Sequence, residues 1–346
     1  MFLGLVTAAC GDQAAAGDAD DGAAADAPDR DLEGPDDADE PDDATEPEDA
    51  AEPEDTAGPD DATEPDDATG PDAPDGGDYS PGSLAACWTD ADCPRVMAIA
   101  HGGAWSLTGA PYDSNAAIIN AFDLGCDGVK IDVRVTSDDV PVIAHSSPLE
   151  YYESLDCGGR RIEEMTAAEV TGCHRLPSLT ERFQRLDDVL GYLRDKMVVQ
   201  LCVKRSTDIQ RTISEIHAQA AEDFAFIELG TSDMESLIPT LTGADTVWYL
   251  VGIGNLGEVD TLLDVVRNPR AFMFEFDPGV DVSTLTPERL HPAGVRSFIY
   301  DSATPLAIAA IQSYFEHGFD VVSTQSAANA VEARRNVHSA RGVSPP

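Results

Sequence analysis

The chain has 346 residues, of which 65 are acidic and 21 are basic, and its net charge at pH 7 is −44. Residues 1–80 hold 28 of the acidic residues and one basic residue, Arg30, yet the remainder is acidic as well. Such a chain repels polyanions, which excludes a nucleic-acid-binding protein.

Residues 1–10 are apolar, end in small residues before Cys10, and are too short to span a bilayer. They resemble the end of a bacterial lipoprotein signal, which implies that Cys10 is lipidated. No basic residue precedes the apolar run, so ordinary export and no export remain alternatives. We expect an exported protein, anchored by lipid at the cell surface or outer membrane, or free in the periplasm.

Residues 11–82 consist mostly of Asp, Glu, Ala, Pro, Thr and Gly, and the heptad of residues 41–47 recurs at 59–65. A segment with so few apolar groups cannot offset the entropy of ordering, so we predict a disordered acidic linker. A solvated spacer is the simplest interpretation; calcium capture and a partner site are the alternatives.

Short apolar runs at residues 96–101, 129–135 and 141–145 predict three buried strands. Between the first two, Asp113 or Ser114 caps a predicted helix that Gly125 ends. Ala117, Ile118, Ala121 and Phe122 share its buried face.

Two capping boxes, at residues 166–169 and 178–181, predict further helix starts. Another helix is predicted at residues 208–221, and more strands at 198–204, 224–229, 247–253, 271–276, 295–300 and 320–324. This alternation is typical of a (β/α)8 TIM barrel, here predicted for residues 83–340; a doubly wound open sheet is the alternative.

Six cysteines fall in the predicted domain, which indicates an oxidising compartment. We predict disulfides between Cys87 and Cys93 and between Cys157 and Cys173. Cys126 and Cys202 are predicted to be buried free thiols. No spacing typical of a zinc site is present.

Three motifs lie in the predicted strands: His-Gly-Gly at residues 101–103, Gly-Cys-Asp-Gly-Val-Lys-Ile-Asp-Val at 125–133, and Asp-Asp-Val-Pro-Val-Ile-Ala-His at 138–145. They resemble the H-R-G, G-A-D-G-V-E-x-D-V and D-G-x-P-V-x-x-H motifs of the glycerophosphodiester phosphodiesterase family, and the resemblance covers about residues 96–335. It implies a phospholipase-C-like barrel that hydrolyses a glycerophosphodiester or a related phospholipid headgroup diester. The family uses Ca²⁺ or Mg²⁺ and two histidines as acid and base.

By this resemblance His101 and His145 match the catalytic histidines, and Asp132 matches a metal ligand. Lys130 and Cys202 replace the two metal glutamates. Metal binding is therefore expected to be weak or absent. The family's P-E-N and H-R-G also change, to Pro-Tyr-Asp at residues 111–113 and to Gly102 in place of arginine.

Two interpretations of the site remain. In one, Lys130 and Lys204 hold the phosphate of a small-molecule or phospholipid-derived diester, and a monomer hydrolyses it. In the other, the barrel is catalytically inactive and binds a ligand or partner at the cell surface, with Lys130 and Lys204 as ion-pair partners. Trp105 and the pair Tyr151 and Tyr152 either line a pocket or serve in packing. The remaining histidines are expected at the surface: His174, His217, His291, His317 and His338.

Overall fold

The structure is a computed structural model that describes residues 87, 90, 92–253, 271–276 and 290–343. The predicted lipoprotein signal (1–10) and acidic linker (11–82) lie outside the described residues. Among the residues it does describe, no helix combines the length and apolarity needed to cross a bilayer.

Eight parallel strands close into a barrel, because the first strand pairs with both the second and the last. These strands are β1 (Met97–His101), β2 (Gly128–Val135), β5 (Val198–Val203), β6 (Ala225–Gly230), β7 (Trp248–Ile253), β8 (Ala271–Phe276), β9 (Arg296–Asp301) and β10 (Val321–Thr324). The ring confirms the (β/α)8 barrel and rules out the open sheet.

The predicted third strand is not a barrel strand. The short β3 (Pro141–Ile143) pairs antiparallel with β2, and β4 (Gln184–Arg185) pairs antiparallel with β3. The turn between β2 and β3 is too short for a parallel crossover, which needs a dozen or more residues. His145 therefore follows a hairpin beside the barrel rather than a strand of the ring.

The described helices are α1 (Trp105–Thr108), α2 (Asn115–Leu124), α3 (Ala167–Gly172), α4 (Leu186–Leu193), α5 (Ile209–Ala218), α6 (Thr231–Ser236), α7 (Ile308–Glu316) and α8 (Ala327–Arg341). Ser114 caps α2 by accepting from the Ala117 N–H, and Gly125 ends it as predicted. Phe122 was wrongly placed on the buried face: it is 40% exposed.

One of the two predicted capping boxes forms. Thr166 and Glu169 cap α3 reciprocally. Ser178 accepts from the Glu181 N–H, but the segment turns back into an antiparallel bridge between His174 and Arg182 and starts no helix. The prediction at residues 178–181 was wrong because the same local hydrogen bond also closes a turn.

Two apolar layers surround the strands. The smaller fills the barrel interior: Met97, Ile99, Val198, Phe226, Leu250, Phe298 and Val321. The larger lies between strands and helices. Because side chains alternate along a strand, His101, Lys130 and Asp132 continue the inner face at the carboxyl ends of β1 and β2.

The disulfides Cys87–Cys93 and Cys157–Cys173 form as predicted. Cys126 is a buried free thiol, but Cys202 is disulfide-bonded, so the prediction for Cys202 was wrong. Its strand context indicated burial and carried no signal about a partner.

His338 was also wrongly predicted: it is buried, and its Nε2 accepts from the Val96 N–H at 3.0 Å. Helix α8 lays this ring against the start of β1, a contact 242 residues apart in sequence.

Candidate active site

The polar cluster lies where β1, β2 and β5 end. His101 is the last residue of β1 and lies in register with Lys130 on β2, and Lys204 directly follows β5. Asp132 lies in register with Cys202. Parallel pairing therefore brings together four of the predicted site residues at the mouth of the barrel.

Asp132 is the centre of this cluster. Its Oδ1 accepts from the Lys130 ammonium and lies 2.7 Å from Lys204 Nζ. Although burial alone would raise the pKa of Asp132, the two ammonium groups hold it well below its usual range. The salt bridge, which the sequence analysis gave as one of two alternatives for Lys130 and Lys204, is thus present and includes both lysines.

A second carboxyl group, Asp113, supports the first. Its Oδ2 accepts from the Asp132 N–H at 3.1 Å, while its own N–H donates to the Gly102 carbonyl at 2.9 Å and its carbonyl accepts from Arg175. Burial and the neighbouring Asp132 raise the pKa of Asp113 well above its usual range, which favours the protonated form. A proton there can bridge Asp113 Oδ1 and Asp132 Oδ2, which otherwise lack a partner among the described residues.

His101 stacks on Tyr300 of β9, with ring centroids 4.1 Å apart and 16° between the planes. Burial and the nearby Lys130 charge lower its pKa well below the usual value, so the neutral imidazole is favoured. Its Nδ1 has no hydrogen-bond partner among the described residues. A neutral ring with an unpaired nitrogen can accept a proton.

Tyr112 joins the two predicted catalytic histidines. Its ring centroid lies 6.0 Å from that of His101 and 5.7 Å from that of His145, and its hydroxyl accepts from Lys130 Nζ at 3.2 Å. Burial raises the pKa of Tyr112 well above its usual value. The phenol therefore keeps its proton and can donate it.

The tyrosine explains a second departure from the family motifs. A Cβ at Gly102 would lie 2.0 Å from the Tyr112 ring, and Gly102 has φ +71°, a conformation that favours glycine. An arginine at this position would collide with the ring. Gly102 and Tyr112 are therefore one coupled change, which the sequence showed as two separate departures.

His145 reaches the cluster from the hairpin. Arg134 of β2 donates from Nε and Nη2 to the His145 carbonyl, at 3.1 and 3.0 Å, and so fixes its backbone. The ring Nδ1 lies 3.1 Å from Ser146 Oγ and 3.7 Å from a Glu153 carboxylate oxygen. Burial, together with the Lys204 and Lys130 charges, lowers the pKa of His145 despite the opposing effect of Asp132.

A cavity of about 470 Å³ opens beside His145, within the size range of small-molecule sites. Its wall includes Trp105, Tyr112, His145, Tyr152 and Arg175. Trp105 and Tyr152 therefore line a pocket, whereas Tyr151 does not. His101, Lys130 and Lys204 are not among the residues that line this cavity, but Tyr112 lines it and contacts both His101 and Lys130.

The residues present do not fit a divalent cation. Ca²⁺ needs six to eight oxygen ligands and Mg²⁺ a near-octahedral set, but Asp113 is hydrogen-bonded to the Asp132 backbone, and Glu228 accepts from Gln200 and interacts with Lys130. One oxygen of Asp132 is engaged by two ammonium groups, and Cys202 is in a disulfide. Among the described residues no group of three or more His, Cys, Asp or Glu side chains has the arrangement of a metal site.

Fold and cluster together define a (β/α)8 barrel with one imidazole and two ammonium groups at the carboxyl ends of its strands and a second imidazole after the adjoining hairpin. Comparison with known proteins shows what part of the chain is similar to. Residues 109–247 match the family model described as the glycerophosphoryl diester phosphodiesterase family. These residues are similar to that family, and Lys130 and Cys202 stand where the family motifs have metal-binding glutamates.

Glycerophosphodiester phosphodiesterase 1 of Rattus norvegicus is 32% identical over 108 residues, which are 31% of each chain. The protein of the same name from Mus musculus is 33% identical over 122 residues, 33% of this chain and 36% of that one. The match thus spans about a third of the length of these curated relatives.

Solved structures show the same fold. A glycerophosphoryl diester phosphodiesterase from Parabacteroides distasonis aligns with a TM-score of 0.60 and 20% identity, over 75% of this chain and 92% of that one. An Oleispira antarctica phosphodiesterase, solved with the product sn-glycerol-3-phosphate, aligns with a TM-score of 0.52 and 16% identity, over 70% and 98%.

Proposed function

We propose that the protein hydrolyses a phosphodiester, either a glycerophosphodiester or a related phospholipid headgroup diester, with His101 and His145 as acid and base. The observation that carries the proposal is that both imidazoles contact Tyr112 at the edge of a cluster with two ammonium groups and one ionised carboxylate. Paired ammonium groups suit the binding of a phosphodiester anion.

In this proposal Lys130 and Lys204 take the role that the family gives to a cation. Their ammonium groups neutralise the phosphate, and the Tyr112 hydroxyl donates to a phosphate oxygen. Both imidazoles favour the neutral form in the free protein. A bound phosphate raises the pKa of the imidazole nearest to it, so one ring donates to the leaving oxygen while the other accepts from the attacking hydroxyl.

The test is hydrolysis of glycerophosphocholine and of phosphatidylinositol by the wild type and by the variants His101→Asn and His145→Asn. We expect each variant to lose a factor of at least about 100 in kcat. His174→Asn is the matched control, because His174 is exposed and hydrogen-bonded to Asp156, and it should keep wild-type turnover. Absence of turnover on every diester would favour the second candidate, an inactive barrel that binds a ligand or partner.

Export is part of the proposal, and lipidation of Cys10 is an expectation from the sequence alone. Export is supported by the disulfides Cys87–Cys93 and Cys157–Cys173, which persist in oxidising compartments. Metabolic labelling with a radioactive fatty acid tests the lipidation: label should appear in the wild type and be absent from Cys10→Ser.

A further inference from the structure

The exposed apolar side chains of the barrel are concentrated at one place. Among the described residues six large hydrophobic side chains are strongly exposed, and five of them either line the cavity beside His145 or lie within two residues in sequence of a residue that does. We call these five the apolar rim; their exposed fractions run from 53% to 76%, and they are Leu107, Tyr151, Tyr152, Leu155 and Leu179. The sixth, Phe122, lies on α2 outside the rim.

The rim follows the cavity along three segments of the chain. Leu107 lies in α1 between the cavity residues Ser106 and Gly109, and Leu179 follows Pro177 by two residues. Tyr152 itself lines the cavity. Leucines and tyrosines around one opening are typical of proteins that sit at a membrane surface, and scattered single exposures are not.

The charges of these segments indicate which kind of lipid surface the rim fits. Residues 104–110 and 176–180 carry no charged side chain, and residues 150–156 carry three acidic side chains and no basic one. Anionic lipids attract lysine- and arginine-rich segments. No rim residue is basic, and the exposed Arg160 and Arg161, which follow Gly159 beside Tyr151, are each paired with a glutamate. On a chain of net charge −44, such a rim is suited to a neutral surface.

We propose that the apolar rim docks on the surface of neutral, zwitterionic phospholipid, so that the substrate is a phosphodiester that carries an aliphatic chain and is presented by a lipid aggregate. This choice of substrate class rests on the proposed function. Docking places the cavity against the lipid, with His145 in its wall and Tyr112 in contact with the cationic cluster.

The experiment uses the full chain purified in unacylated form. It is sedimented with phosphatidylcholine vesicles, and we expect the double variant Leu155→Ser, Leu179→Ser to lose a factor of about 10 or more in partitioning. Phe122→Ser is the matched control and should partition like the wild type. Vesicles with added phosphatidylglycerol should bind less protein than phosphatidylcholine alone.

A wild type that does not partition, or a control that loses as much as the double variant, would overturn docking. A dimer that dissociates in the double variant would overturn it in favour of a second copy of the chain.

Hydrolysis separates the docking proposal from the proposed function. The double variant should hydrolyse soluble glycerophosphocholine like the wild type and lose activity only on micellar lysophosphatidylcholine; normal docking without hydrolysis of either diester would refute the proposed function and leave docking intact.

Discussion

Removal of one of the two lysine ammonium groups that contact Asp132 tests how much this ion-pair network stabilises the fold. In Lys130→Met the side chain keeps its approximate volume, so the lost interaction is the charge. Lys130 is 4% exposed and Asp132 is fully buried. Removal of one partner from a buried ion pair costs about 3–5 kcal/mol. We expect about 3 kcal/mol, the lower end, because Lys204 still lies 2.7 Å from the same oxygen.

The matched variant is Lys204→Met, whose side chain is 17% exposed and whose loss should cost less, about 1–2 kcal/mol. Because the two lysines share one carboxylate oxygen, the double variant should lose at least about 1 kcal/mol more than the two single losses together. Urea unfolding of all four proteins gives these free energies. A cost below about 1 kcal/mol for Lys130→Met, or strict additivity, would refute this account of the ion-pair network.

Three further outcomes follow from the structure. Lys130→Glu would place a third carboxyl group beside Asp113 and Asp132. Ca²⁺ should therefore raise the unfolding temperature of this variant and not that of the wild type or Lys130→Gln. An equal shift in all three proteins would contradict the view that the Lys130 charge prevents Ca²⁺ binding. Gly102→Ala should cost more than about 2 kcal/mol in unfolding free energy, because its Cβ would meet the Tyr112 ring and the φ angle is positive. Adding Tyr112→Ala to this variant should restore part of the loss. No restoration would show that the ring is not the obstacle. Burial lowers the pKa of His338 to about 4, so between pH 6.5 and 4 the unfolded chain binds a proton at this residue and the folded chain does not. Up to about 3 kcal/mol of the stability present above pH 6.5 should therefore be lost as pH falls toward 4. In His338→Gln the urea midpoint should depend less on pH over this range, and an unchanged dependence would exclude His338 as the cause.

The barrel and its register were predictable because each strand is a short apolar run with period-two alternation, bounded by turns. The bounds of β1, β2 and β5 differ from the predicted ones by only a residue or so at each end. The antiparallel course of residues 141–145 was not predictable in the same way. A hairpin strand and a parallel strand have the same apolar pattern, and only the length of the connection distinguishes them.

Lys130, Asp132 and Lys204 could be placed together because parallel strands end on the same side of a barrel. The roles of Asp113 and Tyr112 could not be read in advance. Asp113 was identified as a helix cap, since the sequence does not show that its carboxylate turns to the Asp132 backbone. Tyr112 and Gly102 were two isolated departures until the ring was seen to cover the glycine.

His338 and Cys202 show a third limit. His338 is buried by a contact between the last described helix and the first strand, and Cys202 is in a disulfide. Local pattern does not show that His338 meets a backbone group 242 residues away, or that Cys202 is bonded to another cysteine.

The central claim is that ammonium groups replace the cation in binding the phosphate. The most direct measurement is the initial rate of glycerophosphodiester hydrolysis by the wild type after exhaustive treatment with EDTA, with and without added Ca²⁺ or Mg²⁺. We expect the same rate, within about twofold, in every condition. We also expect a loss of at least about tenfold in Lys204→Met, because the Lys204 ammonium makes a charge-assisted contact with the phosphate. A rate that EDTA abolishes and Ca²⁺ or Mg²⁺ restores would contradict the central claim.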